Sequence, residues 1–201
     1  MIYLFLLKLF AIMLIGDENM AKGMRIIAGA SVLLTAIFVG IYHLKPGGLV
    51  FSCAITSGTI SYHFLMRLFV GGAFNFFLNN RVNYNLKWFR VGKRERTLYK
   101  YLRVKKWKRF LPTYDVNAFD KKQHTWGEIL GAMCQSELVH ETIIIFSFLP
   151  IISSLWFGST TVFVLTSVLS AMFDLTFVII QRYNRPRVLK ILNTEAANTD
   201  N

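Results

Sequence analysis

Apolar residues occur along this chain in long continuous stretches, without the short periodicity of an amphipathic helix or a half-buried strand. A helix needs about 20 apolar residues to cross the hydrocarbon core of a bilayer. Four stretches meet or approach that length, at residues 25–44, 49–78, 137–157 and 162–180. The pattern therefore predicts an all-α, polytopic membrane helical bundle with four transmembrane helices, in which residues 1–201 form a single membrane-embedded domain.

A fifth apolar stretch occupies residues 1–15. Its one charge, Lys8, lies inside the stretch, and the segment that follows has no small-residue cleavage pattern, so a removable signal peptide is not expected. We predict an additional N-terminal hydrophobic helix that either spans the membrane or lies in its interface.

The composition supports the membrane assignment. Hydrophobic residues make up 54% of the chain and charged residues only 17%, whereas about 25% of an average soluble domain is charged. This balance excludes a disordered chain and a soluble nucleotide-binding domain. The two cysteines, Cys53 and Cys134, are too few for a disulfide framework.

Positive charge is concentrated in one region. The chain has 23 basic and 11 acidic residues, a net charge of +12, and between Arg81 and Arg109 there are twelve basic residues and one acid, Glu95. By the positive-inside rule, the basic region 81–136 and the tail 181–201 are predicted to be cytoplasmic in a multi-pass cell-membrane protein. Aromatic residues within this region favour helices that lie on lipid headgroups. RNA binding by base stacking is the alternative, but the membrane context disfavours a nucleic-acid partner.

Two ionisable residues at the cytoplasmic start of the third predicted span are candidates for catalysis. Glu137 and His140 are three residues apart and share a helix face. A carboxylate beside an imidazole fixes its tautomer and prepares it as a general base. Glu141 points about 100° away on the same helix and is a possible supporting residue. The alternative is a helix entry, where the macrodipole stabilises acids in the first turn.

A second polar cluster directly follows the last predicted span. Its members are candidates for binding the phosphates of a donor: Gln181, Arg182, Asn184, Arg185 and Arg187. Arginine forks match phosphate geometry, and Pro186 is expected to end the helix beside them. The alternative is a stop-transfer charge patch, which would not need the two amides.

Other polar residues have less specific signals. Asp174 lies within the last span and is expected to pair with Arg67 or to accept a hydrogen bond from a tyrosine or histidine. Trp107 and Lys108, in the basic region, are possible supporting residues. The scattered histidines and the absence of a CxxC motif predict no metal site.

Three motifs resemble one known family. The segments LRVKKWKRFLP (102–112), SELVHE (136–141) and IIQRYNRPRVLKIL (179–192) are similar to the glycosyl-4,4′-diaponeurosporenoate acyltransferase family of small bacterial membrane enzymes in staphyloxanthin-type carotenoid biosynthesis. The resemblance covers roughly residues 98–192. It implies transfer of a fatty acyl group from an activated donor, such as acyl-CoA, to a sugar hydroxyl of a carotenoid glucoside or another glycolipid.

The polar clusters are consistent with that chemistry. His140 would act as the base with Glu137 orienting it, Arg182, Arg185 and Arg187 would hold donor phosphates, and the bundle would accommodate the apolar chains. No cofactor is expected besides the donor, and the expected partners are membrane lipids, the donor and the glycoside acceptor. Two alternatives stay open: a non-enzymatic protein that binds anionic lipid or a partner enzyme, and a small membrane methyltransferase or reductase.

Overall fold

The computed structural model describes residues 19–111 and 117–199. The predicted N-terminal helix at residues 1–15 lies outside the described residues. Within the described ranges the chain forms helices and turns and no strand, which confirms the all-α fold class.

Seven α-helices are present in this part of the chain. They are α1 (Asn19–Leu44), α2 (Gly48–Leu78), α3 (Lys93–Tyr101), α4 (Val104–Trp107), α5 (Trp126–Phe146), α6 (Pro150–Phe157) and α7 (Thr160–Thr199). Short 3₁₀ turns occur at Lys87–Phe89, Lys108–Phe110 and Asn117–Phe119. Among the described residues, α1, α2, the α5–α6 pair and α7 are long and apolar enough to cross a membrane, as predicted.

The first two long helices form an antiparallel hairpin, because the turn between them is only three residues long. Its packed centre consists of apolar side chains from both helices: Met24, Ala28, Ile60 and Phe64. Nearby, the hydroxyls of Thr35 and Ser61 form a hydrogen bond of 3.2 Å across the interface. Each hydroxyl also contacts a backbone carbonyl of its own helix, so both polar groups are satisfied within the protein.

The third span begins further upstream than the apolar pattern indicates. Helix α5 starts at Trp126 instead of near residue 137, and a capping box fixes this start. The Thr125 hydroxyl accepts from the Glu128 amide at 3.3 Å, and the Glu128 carboxylate accepts from the Thr125 amide at 2.8 Å. The residues that follow are buried against the chain leaving α2, where the backbone carbonyl of Asn80 would lie 2.5 Å from a Cβ at Gly131.

The last helix is longer than predicted. Pro186 was expected to end it, but α7 continues through Pro186 to Thr199. An internal proline costs about 3 kcal/mol because it removes one hydrogen bond and crowds the preceding turn. Contacts on both sides hold this segment in place: Arg182 and Arg185 are ion-paired before the proline, and Glu195 accepts from the Trp126 indole at 2.7 Å after it.

Candidate active site

His140 lies on α5 and is held in place by contacts to α7. Its Nδ1 lies 2.9 Å from Oδ1 of Asp174 on α7, and its ring stacks on Phe177 at 4.7 Å between centroids with an interplanar angle of 9°. An ionised carboxylate only accepts hydrogen bonds, so this contact assigns the ring proton to Nδ1 and leaves Nε2 as the acceptor nitrogen. The His140 side chain is 20% exposed, whereas that of Asp174 is 1% exposed.

Asp174 is itself fixed by a residue from the hairpin. Arg67 on α2 donates from Nη2 to Asp174 Oδ2 at 2.5 Å and to Ser170 Oγ at 2.7 Å. The sequence predicted that Asp174 would pair with Arg67 or bond a histidine, and the structure contains both contacts. The guanidinium thus supplies a cationic partner for a carboxylate that is almost inaccessible to water. Three helices therefore contribute one continuous chain, Arg67–Asp174–His140.

Glu137 does not orient His140, which corrects the interpretation from their spacing. Its side chain is fully buried and faces Arg182 and Arg185 on α7, with Arg182 Nη1 donating to Oε1 at 2.6 Å and the Arg185 guanidinium paired with Oε2. The helices α5 and α7 run antiparallel, so residues one turn apart on α5 contact different turns of α7. His140 meets Asp174, and Glu137 meets the arginines that follow.

Arg182 joins the basic region to the bundle. It donates from Nε to Glu95 Oε1 at 2.5 Å and from Nη1 to the Trp88 carbonyl at 3.2 Å. Burial acts to raise the pKa of Glu95, but hydrogen bonds from Arg182 and Tyr99 outweigh it and bring the pKa below its ordinary value. The same neighbours explain Tyr99, whose pKa is raised by burial and by the Glu95 carboxylate.

Arg185 is 3% exposed and donates to the Phe89 carbonyl at 2.7 Å, with its guanidinium 5.0 Å from the centre of the Phe89 ring. Together with Arg182 it has internal carboxylate and carbonyl partners. These contacts argue against the predicted donor-phosphate role of Arg182 and Arg185. Both connect α7 with α5 and the basic region.

A separate cationic cluster joins Lys108 of the basic region to Tyr183, Asn184 and Arg187 of α7. Lys108 donates to Asn184 Oδ1 at 2.6 Å and lies 5.2 Å from the centre of the Tyr183 ring. Arg187 donates to the Tyr183 hydroxyl at 2.7 Å and stacks 4.4 Å from the same ring. Burial and then the nearby positive charge of Arg187 lower the pKa of Lys108. Two like charges held together in this way favour binding of an anion.

Three other predicted residues each form a side-chain hydrogen bond away from His140. Gln181 donates to Ser136 Oγ at 3.2 Å, and the Trp107 indole donates to the Leu102 carbonyl at 3.0 Å. Glu141 accepts from the Trp88 indole at 2.9 Å. None of these three contacts involves His140, although Glu141 follows it directly in α5.

Sequence reasoning missed two parts of this arrangement. Glu95 is a central ion-pair partner, and its position as the single acid among twelve basic residues was a usable signal. Phe177, which supports the His140 ring, is one apolar residue among many in its span and gave no such signal.

Comparison with known proteins agrees with the motifs. A family model for glycosyl-4,4′-diaponeurosporenoate acyltransferase matches residues 83–194, more than half of the chain. The matched part contains His140, Asp174 and the arginines of α7, whereas Arg67 lies outside it. No curated protein matches the chain, and no solved structure matches it.

Proposed function

Because this chain belongs to the glycosyl-4,4′-diaponeurosporenoate acyltransferase family, we propose that it transfers a fatty acyl group from acyl-CoA or a similar activated donor to a sugar hydroxyl of a lipid-like glycoside. The family itself identifies an acyltransferase of carotenoid glycoside modification and confirms the resemblance of the motifs. The observation that carries the finer proposal is the buried Arg67–Asp174–His140 chain, which ends on a partly exposed imidazole.

The proposed reaction is a direct transfer. His140 Nε2 takes the proton of the sugar hydroxyl while the sugar oxygen bonds to the thioester carbonyl carbon. Collapse of the tetrahedral intermediate breaks the C–S bond, and the imidazolium returns the proton to the departing CoA thiolate. Asp174 stabilises the imidazolium formed on the way, and Arg67 holds the Asp174 carboxylate in position. The step needs no cofactor beyond the acyl donor.

The cationic cluster of Lys108, Asn184 and Arg187 is the proposed site for the donor phosphates. It retains two of the predicted binding residues, Asn184 and Arg187, and adds Lys108 as a full member. At 1.5 Å per residue along α7, Arg187 lies about 20 Å from Asp174. An extended pantetheine arm spans this separation, so phosphates at the cluster are compatible with a thioester at His140.

A transfer assay tests the proposed function. The purified protein in lipid nanodiscs receives labelled long-chain acyl-CoA and a glucosyl ester of a carotenoid acid, and a parallel sample receives labelled S-adenosylmethionine. We expect acyl label in an alkali-labile lipid ester, with one free CoA thiol per ester. Methyl label in the lipid would identify a methyltransferase, and no label from either donor would contradict an enzymatic role with these substrates.

The donor site makes a specific kinetic prediction. Replacing Asn184 or Arg187 with alanine should raise the KM for acyl-CoA about tenfold or more, since a hydrogen bond to a charged group contributes about 1.5–3 kcal/mol. The effect of Arg187→Ala should shrink as salt rises. Lys100→Ala, which removes an exposed charge of α3 outside the cluster, is the control. Equal KM values for all four proteins would reduce the cluster to a topogenic charge patch.

We further propose that the basic region and the end of α7 face the cytoplasm, as the charge asymmetry indicates. In a cysteine-free background, a single cysteine in place of the exposed Lys122 should resist an impermeant maleimide added to intact cells. A cysteine in place of Lys45, in the turn between α1 and α2, should react. The reverse labelling pattern would invert the topology and put the donor site outside.

A further inference from the structure

A groove of about 550 Å³ lies between the basic region and the long helices. Its apolar wall comes from α3, the residue after α3, and α7: Leu98, Leu102, Leu175, Val178 and Ile179. Four further side chains carry polar groups into the lining: Trp88, Tyr99, Glu141 and Arg182. The volume is within the range of about 300–1,000 Å³ that small-molecule sites occupy.

The polar part of the groove is organised around Trp88 and Glu141. The Trp88 indole N–H donates to Glu141 Oε2 at 2.9 Å, and the Trp88 carbonyl accepts from Arg182. These two contacts fix the indole edge and the backbone of Trp88, which is nevertheless 64% exposed. An ionised carboxylate offers about four acceptor sites, so Glu141 has capacity for hydroxyl donors besides the indole.

The charges of Arg182 and Glu141 indicate which kind of headgroup the groove can bind. Arg182 is already paired with Glu95 and Glu137, so its charge is offset within the protein. Glu141, by contrast, is bonded to a neutral indole, and its negative charge disfavours a phosphate or a carboxylate nearby. A neutral, hydroxyl-rich group fits better. Sugar hydroxyls donate to the carboxylate, and the C–H face of a sugar ring packs on an exposed indole.

From this combination we propose that the groove binds the glycoside acceptor, with the sugar at Trp88 and Glu141 and the apolar aglycone along the leucine-lined wall. The inference rests on the proposed function and names the acceptor-binding residues. Glu141 directly follows His140 in α5 but points about 100° away from it. Acyl transfer therefore requires the bound sugar to extend beyond the groove, so that another of its hydroxyls reaches His140. Glu141 and Trp88 therefore position the acceptor and set its specificity.

A binding experiment tests this assignment without any acyl transfer. Labelled decyl glucoside is titrated onto the full-length protein in lipid nanodiscs, with labelled decanol as the probe that lacks the sugar. The test variants are Trp88→Leu and Glu141→Gln. Trp126, which is half-buried, and the exposed Glu195 form a second indole–carboxylate hydrogen bond at 2.7 Å that does not line the groove. Trp126→Leu and Glu195→Gln are therefore the matched controls.

We expect saturable binding of decyl glucoside that weakens about tenfold in Trp88→Leu and Glu141→Gln, given that hydrogen bonds to a charged group contribute about 1.5–3 kcal/mol. Both controls should bind like the wild type, and decanol should show no dependence on the four substitutions. In transfer assays, the groove variants should raise the KM for the acceptor and leave the KM for acyl-CoA unchanged.

Two results would overturn the assignment. Equal affinity of all variants for decyl glucoside would show that the sugar does not bind in the groove. Equal losses of affinity for decyl glucoside and decanol would show that the groove binds lipid chains in general. Sugar-dependent binding in a protein that transfers no acyl group would keep the groove as a glycoside site and reject the proposed function instead. The two ideas are thus tested separately.

Discussion

Replacement of His140 with glutamine is expected to lower kcat for acyl transfer by about 10²–10⁴-fold, the usual contribution of a general base. Glutamine retains hydrogen-bonding groups but cannot accept the proton of the sugar hydroxyl at neutral pH. The KM for acyl-CoA should change little, because the proposed phosphate cluster is elsewhere on α7. Initial rates in nanodiscs, with thermal unfolding recorded on the same samples, give both values.

His43→Gln is the matched control for this prediction, because His43 is exposed at the end of α1. It should retain wild-type kinetics. If His140→Gln were as active as the wild type while equally folded, the general-base role would be wrong, and the contact of His140 with Asp174 would be structural only.

Replacement of Glu137 with alanine is expected to destabilise the fold severely. The Glu137 side chain is fully buried and offsets Arg182 and Arg185. Removing one partner of a buried ion pair costs about 3–5 kcal/mol, since the remaining charge is left without compensation. Arg185 is affected most, because it is nearly inaccessible to water. The measurement is the thermal or denaturant unfolding transition in a fixed detergent.

The control is Glu195→Ala, whose exposed carboxylate lies outside this network. Loss of its hydrogen bond to the Trp126 indole should cost only about 1 kcal/mol, much less than Glu137→Ala. The folded fraction of Glu137→Ala should also keep a nearly normal kcat, because Asp174 and not Glu137 contacts His140. A stable Glu137→Ala protein with a large loss of kcat would instead restore the orienting role that the sequence indicated.

The spans were predictable because the bilayer imposes their length and apolarity on the sequence itself. The beginning of α5 was not predictable, because its first turns do not lie in a long apolar stretch. They are buried against the chain that follows α2, which approaches α5 closely at Gly131. The course of α7 through Pro186 was also hidden. It depends on ion pairs with Glu95 and Glu137, which belong to distant parts of the chain.

The candidate site was predictable in its residues but not in its pairings. An aspartate within a span and a histidine at a helix entry are noticeable because ionisable groups are costly in a membrane. Which carboxylate meets His140 depends on the register between α5 and α7, and spacing within one helix does not contain that information. The same register separates Glu137 from His140 and places it against the arginines.

If Asp174 acts on catalysis through His140, a double-mutant cycle of the two residues should show strong coupling. The kcat values of the wild type, Asp174→Asn, His140→Gln and the double variant are measured with saturating acyl-CoA on samples of equal folded fraction. Residues that act as a unit lose activity non-additively. We expect the double variant to be no slower than His140→Gln alone. Losses that multiply in the double variant would show that the two residues act independently and would contradict the proposed action of Asp174 through His140.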